Sequence, residues 1–133
     1  MSENIQITRV RDVMSTTIST IDGMATVQDA IEIMKKTSAS SIVVQRRDED
    51  DEFGLVVVSD IAKKVIAENR STARVNVYEV MTKPVLSVHV DMNIIYAIRM
   101  LVSFGVSRAL VVDSDRMPIG LISLRDMVFR ATR

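Results

Sequence analysis

Apolar and polar positions along this chain keep two rhythms in turn. Residues 1–9 read as an extended arm, with Ile5 and Ile7 alternating, and Arg11-Asp12-Val13-Met14 reads as a single helical turn. Thr16 to Thr20 is β-branched and alternating, which predicts a short strand around Ile18 before Asp22-Gly23 turns the chain. From Thr26 the period lengthens. Val27, Ala30, Ile31 and Met34 fall on one face of a helix, with Thr26 as its N-cap, Glu32, Lys35 and Lys36 towards water, and an end near Thr37-Ser38. Ser41 to Gln45 is a strand. Gly54 to Val58 returns as a continuous apolar run of the kind buried on both faces. Asp60 then opens a helix with Ile61, Val65 and Ile66 inside, and the polar residues 69–76 read as a linker.

The pattern then restarts. Val77-Tyr78-Glu79-Val80-Met81-Thr82 matches Val10-Arg11-Asp12-Val13-Met14-Ser15, an offset of 77 minus 10, or 67. At that offset Val85 meets Ile18, Ala97 meets Ala30, Leu101 meets Met34 and Val111 meets Val44. Beyond the second hairpin the offset drops by one, so that Gly120 meets Gly54 and Asp126 meets Asp60. The chain is thus two copies of one half: residues 8–70 and 77–132, joined by 71–76. Each copy reads helical turn, strand, helix, strand, strand, helix. Two such halves, each with one apolar sheet face, would pack with their sheets facing each other about a pseudo-twofold axis, giving a mixed α/β (α+β) fold of two βαββα-type repeats.

Composition narrows the chemistry. Formal net charge is zero, so no global field favours nucleic acid or an anionic membrane. The chain has no cysteine, which removes disulfides, thiolate zinc sites and a cysteine nucleophile. A lone histidine, His89, has no companions for a metal and reads as a surface residue. The four glycines form no phosphate loop or nucleophile elbow, so an enzyme is not expected and no cofactor is implied. The opening residues lack a signal-peptide pattern and no apolar run reaches membrane-span length, so a cytoplasmic protein is expected. The hairpin residues Arg46 to Glu52 lack the spacing of a calcium loop and read as a solvated tip rather than a cation site. Met14, Met34, Met81, Met100 and Met127 all sit at apolar positions and read as core filler.

The most informative stretches are Gly120-Leu121-Ile122-Ser123-Leu124-Arg125-Asp126 and its copy Gly54-Leu55-Val56-Val57-Val58-Ser59-Asp60. Each is a strand running into a helix that opens on an Asp. Such a helix start suits a phosphate, and a carboxylate there can accept two hydrogen bonds from a sugar diol. Ser123 with Asp126 also suits a plain helix cap.

Together these residues resemble a tandem pair of CBS domains, named after cystathionine β-synthase and often called a Bateman module. The resemblance rests on Val13-Met14-Ser15 and Val80-Met81-Thr82, on Thr26-Val27-Gln28-Asp29-Ala30, on Gly105-Val106-Ser107-Arg108 followed by Val111-Val112-Asp113, and on the closing stretch Gly120 to Asp126. It covers roughly residues 8–132. It implies a regulatory module binding AMP, ADP, ATP or S-adenosylmethionine in a cleft between repeats, with the closing Asp on ribose and the Ser three residues earlier near phosphate. In the family the sites are crossed. Carried over, Ser123 and Asp126 would face Thr17, Ile18, Ser19 and Ser40, while Asp60 would face Val85, Leu86, Ser87 and Arg108. Arg108 occupies a family position that often reaches phosphate, and Arg125 is either a solvated helix residue or a phosphate contact. The first closing motif has Val57 where a hydroxyl is expected; Ser59 is the available substitute, so the Asp126 site ranks first.

Two further readings stand beside the sensor. One is an assembly module without a ligand, pairing into homodimers through helix residues such as Met127, Val128 and Phe129 or Ile61, Val65 and Ile66. The other is an enzyme, which the absent machinery argues against. A sensor would pass its signal to a separate regulated protein.

Overall fold

The computed structural model describes residues 7–131, so the part of the predicted arm that holds Ile5 lies outside the described residues. The elements run in chain order β1 (Thr20–Ile21), α1 (Val27–Thr37), β2 (Ser41–Val44), β3 (Gly54–Val57), α2 (Val58–Ile61), β4 (Ser87–His89), α3 (Ile94–Phe104), β5 (Arg108–Val112), β6 (Pro118–Ser123) and α4 (Leu124–Ala131). Short 3-10 turns, Val10–Asp12 and Val77–Glu79, lead into the two repeats, and α2 continues as a π-helix over Ala62–Ile66. Each repeat holds a three-stranded sheet: β2 pairs parallel to β1 and antiparallel to β3, and β5 does the same with β4 and β6. The mixed α/β class with two repeats is therefore as expected.

The first strand of each repeat is a correction. It forms at Thr20–Ile21 and Ser87–His89, two residues later than the pattern around Ile18 and its match Val85 implies. The chain just before β1 is engaged elsewhere: Ser15 N–H donates to Leu121 O at 2.9 Å and Ser15 O accepts Leu121 N–H at 3.0 Å.

That bond reflects how the compact units are composed. One unit, here called discontinuous, takes the chain up to Ile18 together with everything from Leu86 onward; the other, continuous, is Ser19–Val85. Each repeat's leading turn therefore packs in the unit built from the other repeat's sheet. Val10 joins Val88, Ile94, Leu101, Val111, Ile122 and Met127 in one core. Val77 and Val80 join Ile21, Met34, Ile42, Val56 and Ile61 in the other. The docking is tight at two glycines. A Cβ on Gly120 would lie 2.7 Å from Ser15 O, and one on Gly54 would lie 2.9 Å from Met81 Sδ. The polar stretch 71–76 is equally built in. Val75 is buried in the continuous core, and Val75 O and Thr72 O accept the first N–H groups of α1, from Val27 at 2.8 Å and Gln28 at 2.9 Å.

Helix ends follow capping chemistry. Thr26 Oγ1 accepts Asp29 N–H at 3.1 Å, and the Asp29 carboxylate accepts Thr26 N–H at 3.1 Å. At the other end α1 closes on Ser38 with φ 55°, whereas its repeat partner Gly105 closes α3 with φ 67°. Only glycine adopts this left-handed conformation without steric cost. Ser38→Gly should therefore raise stability by about 1 kcal/mol, read from the urea unfolding midpoint.

Ile66 corrects another expectation. Ile61 and Val65 are buried, but Ile66 is 58% exposed, since neighbouring helical positions point about 100° apart.

The hairpin tip also differs from a purely solvated loop. Asp51 turns inward, its carboxylate meeting Lys83 Nζ at 2.6 Å and Arg47 Nε at 3.1 Å. The Lys83 ammonium, with the Arg47 backbone N–H after it, holds the Asp51 carboxyl well below the usual carboxylate range. A folded pKa below the unfolded one adds stability that is complete above about pH 4 to 5 and fades as the pH falls further. Asp51→Asn should lower the melting temperature at pH 7 and flatten its decline between pH 5 and 3, measured by thermal denaturation across that range.

Candidate functional site

At the junction of β6 and α4 the strand ends on Ser123 and the helix begins at Leu124. Ser123 Oγ accepts Asp126 N–H at 3.1 Å, the geometry of a helix cap. Leu124 N–H donates to Ser107 O at 2.9 Å, which ties the helix start to the chain leading into β5. The cap does not exhaust the serine. A hydroxyl carries two acceptor lone pairs and one donor, so Ser123 can accept from Asp126 and still donate to a phosphate oxygen. Cap and ligand readings are chemically compatible at this residue.

The strand register adds a partner. Arg108 stands directly opposite Ser123 in the antiparallel β5–β6 pair. Opposed residues point to the same face with Cβ atoms about 5 Å apart. The guanidinium thus originates beside the hydroxyl, and Asp126 follows one helical turn later on an exposed position. The arrangement offers a cationic fork, a hydroxyl and the N-terminus of a helix for an anion, with a carboxylate acceptor alongside. Arg125 is engaged on its own helix, its guanidinium 5.0 Å from the centre of the Phe129 ring.

The other predicted residues divide between the units. Thr17, Ile18, Leu86, Ser87, Arg108, Ser123, Arg125 and Asp126 belong to the discontinuous unit, whereas Ser19, Ser40, Ser59, Asp60 and Val85 belong to the continuous one. In the discontinuous unit, Leu86 O accepts Leu110 N–H at 2.9 Å and Ser87 faces Leu110 in register. Residues 17 and 18 follow the Ser15–Leu121 pairing. In the continuous unit, Ser19 O accepts Val43 N–H and Ser40 O accepts Val58 N–H, both at 3.0 Å. Ser19, Ser40, Ser59 and Asp60 consequently gather at one end of its sheet.

The two junctions share a backbone but not a chemistry. In the continuous unit Ser41 stands opposite Val57 in register, where the other unit has Arg108 opposite Ser123. The guanidinium is missing, the hydroxyl of the pair stands on Ser41 rather than at the strand end that leads into the helix, and α2 starts without a side-chain cap.

Sequence reasoning did not anticipate a shallow pocket of about 260 Å³ beside Asp126, lined also by Asp12, Val13, Phe129 and Arg130. Asp12 and Val13 come from the leading turn of the first repeat, so only the exchange of turns brings them here. Among the described residues no cluster of His, Cys, Asp or Glu suits a metal ion, and no helix is long and apolar enough to cross a membrane.

The model of the CBS domain family matches residues 10–67 and 77–132. This chain belongs to the CBS domain family. The CBS pair is similar to the hexameric CBS-CP12 protein from bloom-forming cyanobacteria, with a TM-score of 0.89 and 31% identity, covering 95% of this chain and 69% of that one. It is also similar to the CBS domain pair of MJ0100, solved in complex with 5′-methylthioadenosine and S-adenosyl-L-methionine, with a TM-score of 0.77 and 25% identity, covering 93% and 99% of the two chains. An L-aspartate semialdehyde sulfurtransferase of Methanosarcina acetivorans is 34% identical over 123 residues, 92% of this chain but 24% of that protein. The chain spans about half the length of one curated relative and about a quarter of another.

Proposed function

We propose that this CBS pair is a regulatory module that binds an adenosine-containing ligand at the β6–α4 junction. The candidates are AMP, ADP, ATP and S-adenosylmethionine. The observation that carries the reading is Arg108 beside Ser123 with Asp126 one turn into α4. In this reading Asp126 accepts hydrogen bonds from the ribose hydroxyls. Ser123 and Arg108 hold the charged end of the ligand: a phosphate, or the carboxylate of S-adenosylmethionine. The MJ0100 complex supports the adenosine part, since a CBS pair of this fold binds two adenosine compounds. The site around Asp60 ranks second, because Val57 puts no hydroxyl before the helix and Ser41 supplies no guanidinium.

Regulation follows from differential affinity. A ligand that binds one arrangement of the protein more tightly shifts its population towards that arrangement, and a separate partner protein reads the change. The role is regulatory rather than catalytic.

The experiment is a thermal-shift panel of AMP, ADP, ATP, S-adenosylmethionine and NAD on the purified chain and on Asp126→Ala. A ligand that binds only the folded state raises the melting temperature. A shift for one adenosine compound that vanishes in the variant supports the reading, and no shift for any of them overturns it. The second reading, a ligand-free homodimerisation or interaction module, is favoured by the exposure of Phe129 (64%) and Val128 on α4. Met127, Ile61 and Val65 do not contribute to such a face, because each is buried in its own core. Light scattering on Phe129→Lys separates this reading from the first, since loss of a dimer there with unchanged ligand shifts assigns assembly and sensing to different residues.

A further inference from the structure

The two leading turns share a backbone but are pinned from different positions. At the offset of 67, Arg11 matches Tyr78, Asp12 matches Glu79 and Val13 matches Val80. In the continuous unit the acid of the turn is the pin. Glu79 Oε1 accepts the Arg70 guanidinium at 3.1 Å and Oε2 accepts Asn76 N–H at 2.7 Å, so both carboxylate oxygens are taken. Val80 beside it is fully buried. In the discontinuous unit the pin is Arg11, which forms an ion pair with Asp91, while Arg9 Nη1 donates to Asp91 O at 2.7 Å. Asp12 is left with one bond, from Arg9 N–H to Oδ2 at 2.9 Å, and no cation of the described residues pairs with it. A carboxylate offers about four acceptor positions, so most of its capacity is unused. Val13 is only half-buried.

The unused acid stands at the pocket of about 260 Å³, which Asp12 and Val13 share with Asp126, Phe129 and Arg130. That pocket is a joint. One side is α4, anchored by the buried Met127, and the other is a turn lent by the first repeat. Its volume is slightly below that of small-molecule sites, enough for part of a ligand. The turn itself is seated by few bonds. Val10 N–H donates to Met92 O at 2.8 Å, Arg11 N–H donates to Val90 O at 2.9 Å, and Ser15 and Leu121 exchange their pair. The Arg11–Asp91 ion pair is half exposed and adds little in water.

We propose, resting on the reading of Asp126 as the ribose acceptor, that the leading turn of the first repeat is part of the ligand site and reports its occupancy. A ligand held by Asp126 also meets Asp12 and Val13, and so holds this turn on its sheet. Because it contacts both sides of the joint, it binds only while the turn is seated, and local opening of the turn becomes rarer. At a hundred times its dissociation constant the open fraction falls about a hundredfold. The second turn, whose acid is spent on Arg70, has no such link to the ligand.

The test is amide hydrogen exchange on the full chain, free and with saturating AMP, ADP, ATP or S-adenosylmethionine, each checked for binding by thermal shift. The N–H groups of Val10, Arg11, Ser15 and Leu121 should slow at least about tenfold more than those of Val77, Tyr78, Thr82 and Leu55, their matches in the other unit. Asp12→Asn keeps an oxygen for Arg9 N–H but loses the charge. It should weaken the bound compound at least about fivefold, while exchange in the free protein stays as it was. A compound that raises the melting temperature but slows both turns alike, or that binds Asp12→Asn as tightly as the original chain, overturns the proposal and leaves the Asp126 reading standing. No rise with any of the four compounds removes both.

Discussion

Gly120→Ala should destabilise the protein by about 3 kcal/mol, at the upper end of what overpacking costs. The added Cβ would sit 2.7 Å from Ser15 O and 3.0 Å from Met14 Sδ. The sulfur can swing away, but the carbonyl cannot. Ser15 is bonded twice to Leu121, so relieving the clash means pulling the leading turn off the sheet and stretching both hydrogen bonds. Gly54→Ala is the internal control. Its nearest neighbour is Met81 Sδ at 2.9 Å, a flexible tip, and the backbone, Thr82 O, is further away at 3.2 Å. Its cost should be nearer 1 kcal/mol. Urea unfolding of the two variants checks the order. Equal losses would mean that close backbone approach is not what these glycines serve.

Asp126→Ala should weaken an adenosine ligand by about 1.5–3 kcal/mol, through loss of charge-assisted hydrogen bonds, with little change in stability because the side chain is exposed. Ser123→Ala should do both things. Removing the hydroxyl leaves Asp126 N–H without its cap, worth about 1 kcal/mol of folding stability. It also removes the donor left for the ligand. Arg108→Lys keeps the charge and loses the fork, so it should weaken phosphate-bearing ligands while the fold stays intact. Calorimetric titration beside denaturant unfolding separates the two quantities for each variant. Normal binding by Asp126→Ala would remove that residue from the site.

The elements were largely legible because periodicity reports local structure. Val27, Ala30 and Met34 fall on one face and are buried together. Thr26 caps as its residue type suggests, and Ser123 ends its strand where a helix begins. The first strands were misplaced because β-branched alternation measures propensity, whereas Ser15, just before this stretch, is held by Leu121, more than a hundred positions away. Val10, Val77 and Val80 are matched apolar positions of the two leading turns, but nothing in their spacing says which core receives them. The site was half legible. Asp126 and Ser123 stand out as a motif, yet the closeness of Arg108 depends on strand register, and Asp12 reaches the same pocket only through the exchanged turn. A cleft of about 790 Å³ beside the hairpin was invisible for a related reason. Arg46 and Arg47 looked like part of a solvated tip until the fold set Tyr78 and Lys83 beside them.

The exchanged turns also bear on what counts as an independent piece of this protein. A fragment ending near residue 70 keeps Val10 but lacks Val77 and Val80, which complete its own core. A fragment starting at residue 77 has the opposite deficit. Each would be left with an uncovered apolar sheet edge and a spare turn that fits the other. Mixed together, the two fragments restore both exchanged turns but not the contacts of residues 71–76. The repeat visible in the sequence is therefore a unit of duplication but not a unit of folding, and a chain with only one copy could close its core only by borrowing the turn of a second molecule.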